Sequence, residues 1–173
     1  MPIIFCSANL VALVGKNRMM SNTGMPETDP GARWNARLFH LNGRKCIIWT
    51  NKATLYSIVR LNVRKNDCVD LTSLFLSSLF VQLQQDGFYN EVQDNYWLDN
   101  IQKFVFATTD NDKKVIGSMN DFTRQLKAGV TMGSTLLKEV NNLSVANYLN
   151  RIPMGLINYK YPLDSFRELL NKD

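Results

Sequence analysis

The chain holds a single histidine, His40, so a Ser-His-Asp triad, a Cys-His pair or a multi-histidine metal site would each have to be built around that one side chain. Alternation puts His40 on the strand face of Trp34, Ala36 and Leu38, as a partly buried structural residue. The three cysteines, Cys6, Cys46 and Cys68, are odd in number and far apart. That pattern excludes a disulfide framework and a CxxC knuckle, and reads as buried thiols in a reducing compartment. Close aspartate pairs occur at Asp67/Asp70, Asp94/Asp99 and Asp110/Asp112, all beside predicted helix ends where capping accounts for them, so no metal site is expected. GxxxxGK[ST] and strand-following GxGxxG loops are both missing, and no cofactor is expected. No run reaches the roughly 18–20 apolar residues that span a bilayer, and the early apolar stretch has its basic residues, Lys16 and Arg18, behind it rather than in front. The expectation is a cytoplasmic protein without membrane contact.

What is present suffices for a full core. With 173 residues, 45% hydrophobic and 20% charged, the chain falls in the size range of one domain, taken as residues 1–173. Residues 3–6 read as a short strand, followed by a helix that Ser7 caps and Gly15 stops. A long loop runs from Lys16 to Ala32. RWNARLFHL and KCIIWTN then flank Asn42-Gly43, a pair that accepts positive φ at both turn positions, and this is a β-hairpin. ATLYSIV reads as a third strand completing a meander. From Asp67 or Asp70 to Gly87 the apolar period becomes helical; a second helix is read over roughly 89–101, and KFVFATT is a further strand. Val115, Met119, Phe122 and Leu126 carry another helix, and the last one starts at Pro162. The expected fold is α+β: an antiparallel meander sheet of about four to five strands packed against several α-helices.

Two features stand out against this frame. The segment Gly117-Ser118-Met119-Asn120-Asp121 sets small and polar residues into an apolar helical period. It reads as a helix start, as a helix interior where Gly117 admits a close neighbour, or as a polar pocket. The formal charge is +5, with cations in small separate groups: Lys16 and Arg18; Arg44 and Lys45; Arg60, Arg64 and Lys65; Lys113 and Lys114. Trp34, Trp49 and Tyr56 lie near arginines and read as core, with base stacking as the alternative.

The strings WNARLFHLNGRKCIIWTNKATLYSIV and TTDNDKKVIGSMNDF resemble a bacterial family of unknown function. That family has a Trp-x-Ala-Asn-Leu-Phe strand, an Arg-Lys hairpin, a Thr-Leu strand and a Gly-Ser-Met-Asn-Asp segment. The resemblance spans roughly Trp34 to Leu126. It rests on Trp34, Ala36, Leu38, Phe39, Arg44, Lys45, Thr54, Leu55 and residues 117–121. Arg37 stands where the pattern has asparagine. The resemblance implies a bacterial or mobile-element origin and no particular reaction.

The leading functional expectation is a non-enzymatic binding protein, of accessory, antitoxin or defence-related type, acting on a protein partner. Its contact candidates are Ser118, Met119, Asn120, Asp121, Arg37, Tyr56, Met19, Met20 and Met25, since methionine suits adaptable apolar contact. The alternative is nucleic-acid binding through Arg44, Lys45, Arg60, Arg64, Lys65, Lys113 and Lys114. A second alternative is an enzyme with its polar site at residues 117–121.

Overall fold

The computed structural model describes residues 2–21, 30–88, 104–133 and 140–171. In chain order these form β1 (Ile3–Cys6), α1 (Ala8–Val14), β2 (Arg33–Leu41), β3 (Arg44–Asn51), β4 (Ser57–Arg60), α2 (Leu71–Asp86), β5 (Val105–Thr108), α3 (Lys113–Thr131), α4 (Asn142–Asn150) and α5 (Pro162–Leu170). The helix expected over roughly 89–101 and the candidate Met25 lie outside the described residues.

The five strands form one sheet in the order β4-β3-β2-β1-β5. The hairpin and meander are as expected: β2 pairs antiparallel with β3, and β3 with β4. Asn42 and Gly43 turn the hairpin at φ of 49° and 75°. The sheet as a whole is mixed, however, which corrects the antiparallel reading, because β1 pairs parallel with both β2 and β5. The cause is connection length. Some 26 residues including α1 separate β1 from β2, enough for a crossover, whereas antiparallel neighbours are normally joined by tight turns. The third strand is also shorter than the sequence suggests. Residues Ala53–Tyr56 form a turn in which Leu55 takes φ 59°, and Asn51 holds it: its Oδ1 accepts from the amides of Ala53 and Thr54 and from the Thr54 hydroxyl at 3.0–3.1 Å, while its Nδ2 donates to Gly31 O at 2.8 Å.

Alternation sends the two faces of the sheet into separate cores. Ile4, Cys6, Trp34, Ala36, Ile47, Trp49 and Ile58 pack with α1, α2 and α5, where Tyr56 stacks on Phe166 at 4.2 Å between centroids. On the other face Phe39, Leu41, Cys46, Ile48 and Val59 pack against Val115, Met119, Phe122 and Leu126 of α3 and Val145 and Leu149 of α4. Every residue of β1 is buried, as befits a strand covered on both faces. The expected 3.6-residue periods are those of α2 and α3, and Pro162 does open α5. His40 lies exposed beside the hairpin tip, contrary to the partly buried reading, because the strand outruns the helices there.

Both sheet edges are closed by other parts of the chain. Along β4, the buried Asn150 of α4 accepts from Ser57 N at 2.7 Å and donates to Ser57 O at 2.8 Å, and Asn142 accepts from Leu61 N at 2.8 Å. Along β5, Met20 donates to Phe106 O at 2.8 Å and accepts from Thr108 N at 3.1 Å. Unpaired edges invite strand addition from other molecules, and these contacts occupy several of the groups that would template it. Asn150→Ala leaves both backbone groups of Ser57 buried without partners, and should cost about 2–4 kcal/mol at roughly 1–3 kcal/mol per unsatisfied group. Urea unfolding checks this; a loss under about 0.5 kcal/mol would show that the Asn150 clamp does not hold the edge.

Candidate functional site

The parallel pairings give β1 a neighbour on each side whose chain arrives by a different route, and they place the carboxyl ends of β1 and β5 side by side: Cys6 is in register with Thr108. In open sheets with parallel strands, the crevice beyond such ends is where ligands bind. A cleft of about 220 Å³ lies there. Its floor is Phe5 and Met119; its polar wall comes from Ser7 and Asn9 where β1 enters α1, Asn35 and Arg37 on β2, Thr109 after β5, and Asn120 on α3. Strand parity explains the β2 contribution. Trp34, Ala36 and Leu38 face the α1 and α2 side, so Asn35 and Arg37 face α3.

Asn35 is 4% exposed, and its Oδ1 has no hydrogen-bond partner. The Ser7 hydroxyl, although at the N-cap position of α1, makes no capping bond, and its oxygen is likewise buried without a partner. Buried polar atoms are nearly always satisfied, so two in one cleft mark a place where structure alone does not explain the residues. Among the described residues the Arg37 guanidinium makes no hydrogen bond or ion pair, and no carboxylate, histidine or cysteine thiol lines the cleft. The wall is therefore cationic and rich in amide and hydroxyl groups. It can bind and orient an oxygen-bearing group.

An ion-pair latch fixes one rim. The Lys52 ammonium binds Asp110 and, at 3.0 Å, Asp112, all of them partly buried, and it stands 5.2 Å above the centre of the Phe5 ring. Asp112 also caps α3, accepting from the amides of Lys114 and Val115. Partial burial pulls the Asp112 carboxyl up, but the Lys52 hydrogen bond and charge together with those amides outweigh it and hold the group below its ordinary 3.8. Thr109 thus lines the cleft from a loop tied down at Asp110.

The sequence candidates are distributed unevenly about this cleft. Arg37, Met119 and Asn120 line it, from two elements 82 and 83 residues apart in the chain. Ser118 sits inside α3, donating to Lys114 O at 3.1 Å, and Asp121 points outward to pair with Arg124 at 2.8 Å. The helix therefore begins at Asp112, not at Ser118, and Gly117 has open space around its missing side chain, so close approach is not its role. Tyr56 is fully buried on the opposite face, donating its hydroxyl to Asp86; burial foremost, and the Asp86 charge, push its pKa well above the ordinary value. Met19 packs on the first core and Met20 is 53% exposed. Ser7, Asn9, Asn35 and Thr109 were not among the contact candidates: Ser7 read as a helix cap, and Thr109 only as part of the stretch leading to residue 117. The available signal was Asn35, a polar residue on the strand face that carries Phe39 and Leu41.

The remaining chemistry is accounted for structurally. Cys6, Cys46 and Cys68 are free buried thiols, and burial raises all three, Cys6 to about 12, so none is a ready thiolate. Among the described residues no group of three or more metal-ligating side chains occurs, and no helix is long and apolar enough to cross a membrane. The chain belongs to the family described as a domain of unknown function, DUF6933, whose model matches residues 3–165. No curated protein and no solved structure matches it.

The latch generates a pH-dependent expectation. Since Asp112 titrates lower in the folded than in the unfolded chain, its contribution is present above pH 3.8 and is lost as pH falls through the folded-state value. Lys52→Met should destabilise by about 2 kcal/mol at pH 7, and its gap from the wild type should shrink at the acid end. Urea midpoints at both pH values decide it: an unchanged gap would mean that the latch does not carry the difference.

Proposed function

We propose that the protein is a binding module that takes an acidic side chain or terminal carboxylate of a partner protein into the cleft at the carboxyl ends of β1 and β5. The observation that carries this reading is the buried, unpartnered Asn35 Oδ1 beside the unpaired Arg37 guanidinium in a cleft that no carboxylate lines among the described residues. Arginine presents a planar fork that matches carboxylate geometry, and asparagine can both accept and donate. Size supports a protein-borne group over a free cofactor, since about 220 Å³ lies below the roughly 300–1,000 Å³ of small-molecule pockets.

The surroundings fit a protein partner too. On the other flank of α1 lies a shallow, mainly apolar groove of about 370 Å³ lined by Cys6, Val11, Ala12 and Thr108, and it shares Ala8 and Thr109 with the cleft. Met20 is hydrogen-bonded to Thr108 at the edge of that groove. An apolar contact area beside a polar anchor is the ordinary anatomy of a protein interface.

The test is capture from the native host after nuclease treatment, with wild type, Arg37→Ala and Asn35→Ala compared at matched thermal stability. Losing one member of a desolvated charge pair costs about 2 kcal/mol or more, roughly thirtyfold in Kd. A partner retained by the wild type and depleted by that factor in Arg37→Ala is the expected result. Equal recovery by all three proteins would place the contact elsewhere, and a wild type that recovers nothing would remove the reading.

A further inference from the structure

The register of the hairpin gathers cations that the sequence scatters. His40 is paired with Lys45, and Leu41 with Arg44, at the hairpin tip; Arg60, the last residue of β4, is opposite Ile47. Lys45 and Arg60 therefore lie on one face, as diagonal cross-strand neighbours about 7–8 Å apart. Beyond β4 the chain turns back to the same place, with Val63 N donating to Lys45 O at 2.8 Å, which brings up Arg64 and Lys65. Arg44 is on the other face of β3, its guanidinium held by Asn62 Oδ1 at 3.2 Å. All five cations are exposed.

Acidic residues are few along this stretch of the chain. Between His40 and Val69 the only acid is Asp67, and its carboxylate is occupied in accepting from the Arg64 amide at 2.7 Å. Lys113 and Lys114 do not join the group; they open α3 beside Asp112, near Lys52 and so at the far end of β3. The aromatic residues of the meander are not available for stacking, because Trp34, Trp49 and Tyr56 are all fully buried.

From this arrangement we propose a second binding surface, independent of the cleft: the β2–β3 tip with the β4 exit tracks the phosphate backbone of nucleic acid without reading sequence. Five exposed cations match a row of phosphates, and of the meander's aromatic rings His40 alone is exposed there, too little to read a sequence. An anionic membrane is the poorer fit, since such surfaces insert several large apolar side chains among their cations, whereas Leu41 and Val63 here are buried and Val69 alone is exposed beside Lys65.

The test is fluorescence anisotropy of the full chain with a 20-base-pair DNA duplex of arbitrary sequence, repeated with a shuffled duplex, as salt is raised from about 50 to 200 mM. Five phosphate contacts predict a slope of log K against log salt of about −4.5, with each neutralised cation making it shallower by about 0.9. Lys45→Gln, Arg60→Gln, Arg64→Gln and Lys65→Gln combined should abolish most of the binding at unchanged thermal stability, and Arg37→Ala should leave it intact. The proposal is overturned by no binding at the low-salt end, by a quadruple variant that binds as the wild type does, by clear preference for one sequence, or by stronger binding to phosphatidylserine vesicles than to DNA.

Discussion

Strand β1 is four residues long and fully buried, and it pairs in parallel on both sides. Most of the remaining architecture depends on that placement. A parallel partner cannot follow through a tight turn, so the chain must leave the sheet before β2 and again before β5, and the helices lie over both faces. The same constraint leaves the carboxyl ends of β1 and β5 next to each other with their connections departing. A crevice follows from the topology itself, and the residues immediately after β1, on the neighbouring strand β2 and along α3 become its wall.

Polar side chains take over where the backbone ladder ends. Asn51 organises the turn before β4 through four hydrogen bonds, and Asn150 imitates a neighbouring strand by both accepting from and donating to Ser57. Each amide here has both its acceptor and its donor in use. Asn35, equally buried, has an oxygen with no such partner, and the contrast within one molecule is what sets it apart. With β4 covered by α4 and β5 by Met20, strand addition is an unfavoured route for a partner, and recognition falls to side chains.

The local order of the fold was legible in the sequence, and its non-local pairings were not. Asn42-Gly43 specifies the hairpin by its tolerance of positive φ, and the spacing of Val115, Met119, Phe122 and Leu126 specifies the buried face of α3. IIFC and VFAT carry no mark of the partner or direction they adopt, because a short apolar run is compatible with either pairing. Thr54 and Leu55 continue an alternating pattern and so resemble strand, although Leu55 lies in the left-handed region. At the site, Asn120 was visible as a polar residue in an apolar helical period, and Arg37 as a departure from the asparagine of the pattern the strand resembles. Ser7 was hidden by its plausibility as a cap, and Asn35 by its neighbours Trp34 and Ala36. The joining of Arg44, Lys45, Arg60, Arg64 and Lys65 needed the register of three strands and a returning backbone hydrogen bond, none of which is local.

Two of the settings in which the described residues carry positive charge without an ion pair concern recognition: one guanidinium in a half-enclosed polar cleft, and five cations in open solvent at the hairpin end of the sheet. Enclosure should favour a single, oriented carboxylate at the first, since a partly desolvated charge pair is screened less than an exposed one. The most direct measurement is a titration of isotopically labelled protein with N-acetylglutamate, followed by the side-chain NMR resonances of asparagine and arginine. The account predicts that Asn35, Arg37 and Asn120 shift first and saturate together, with Arg44 and Arg60 changing weakly and without saturation. Saturable shifts at Arg44 and Arg60 with Asn35 unmoved would contradict it.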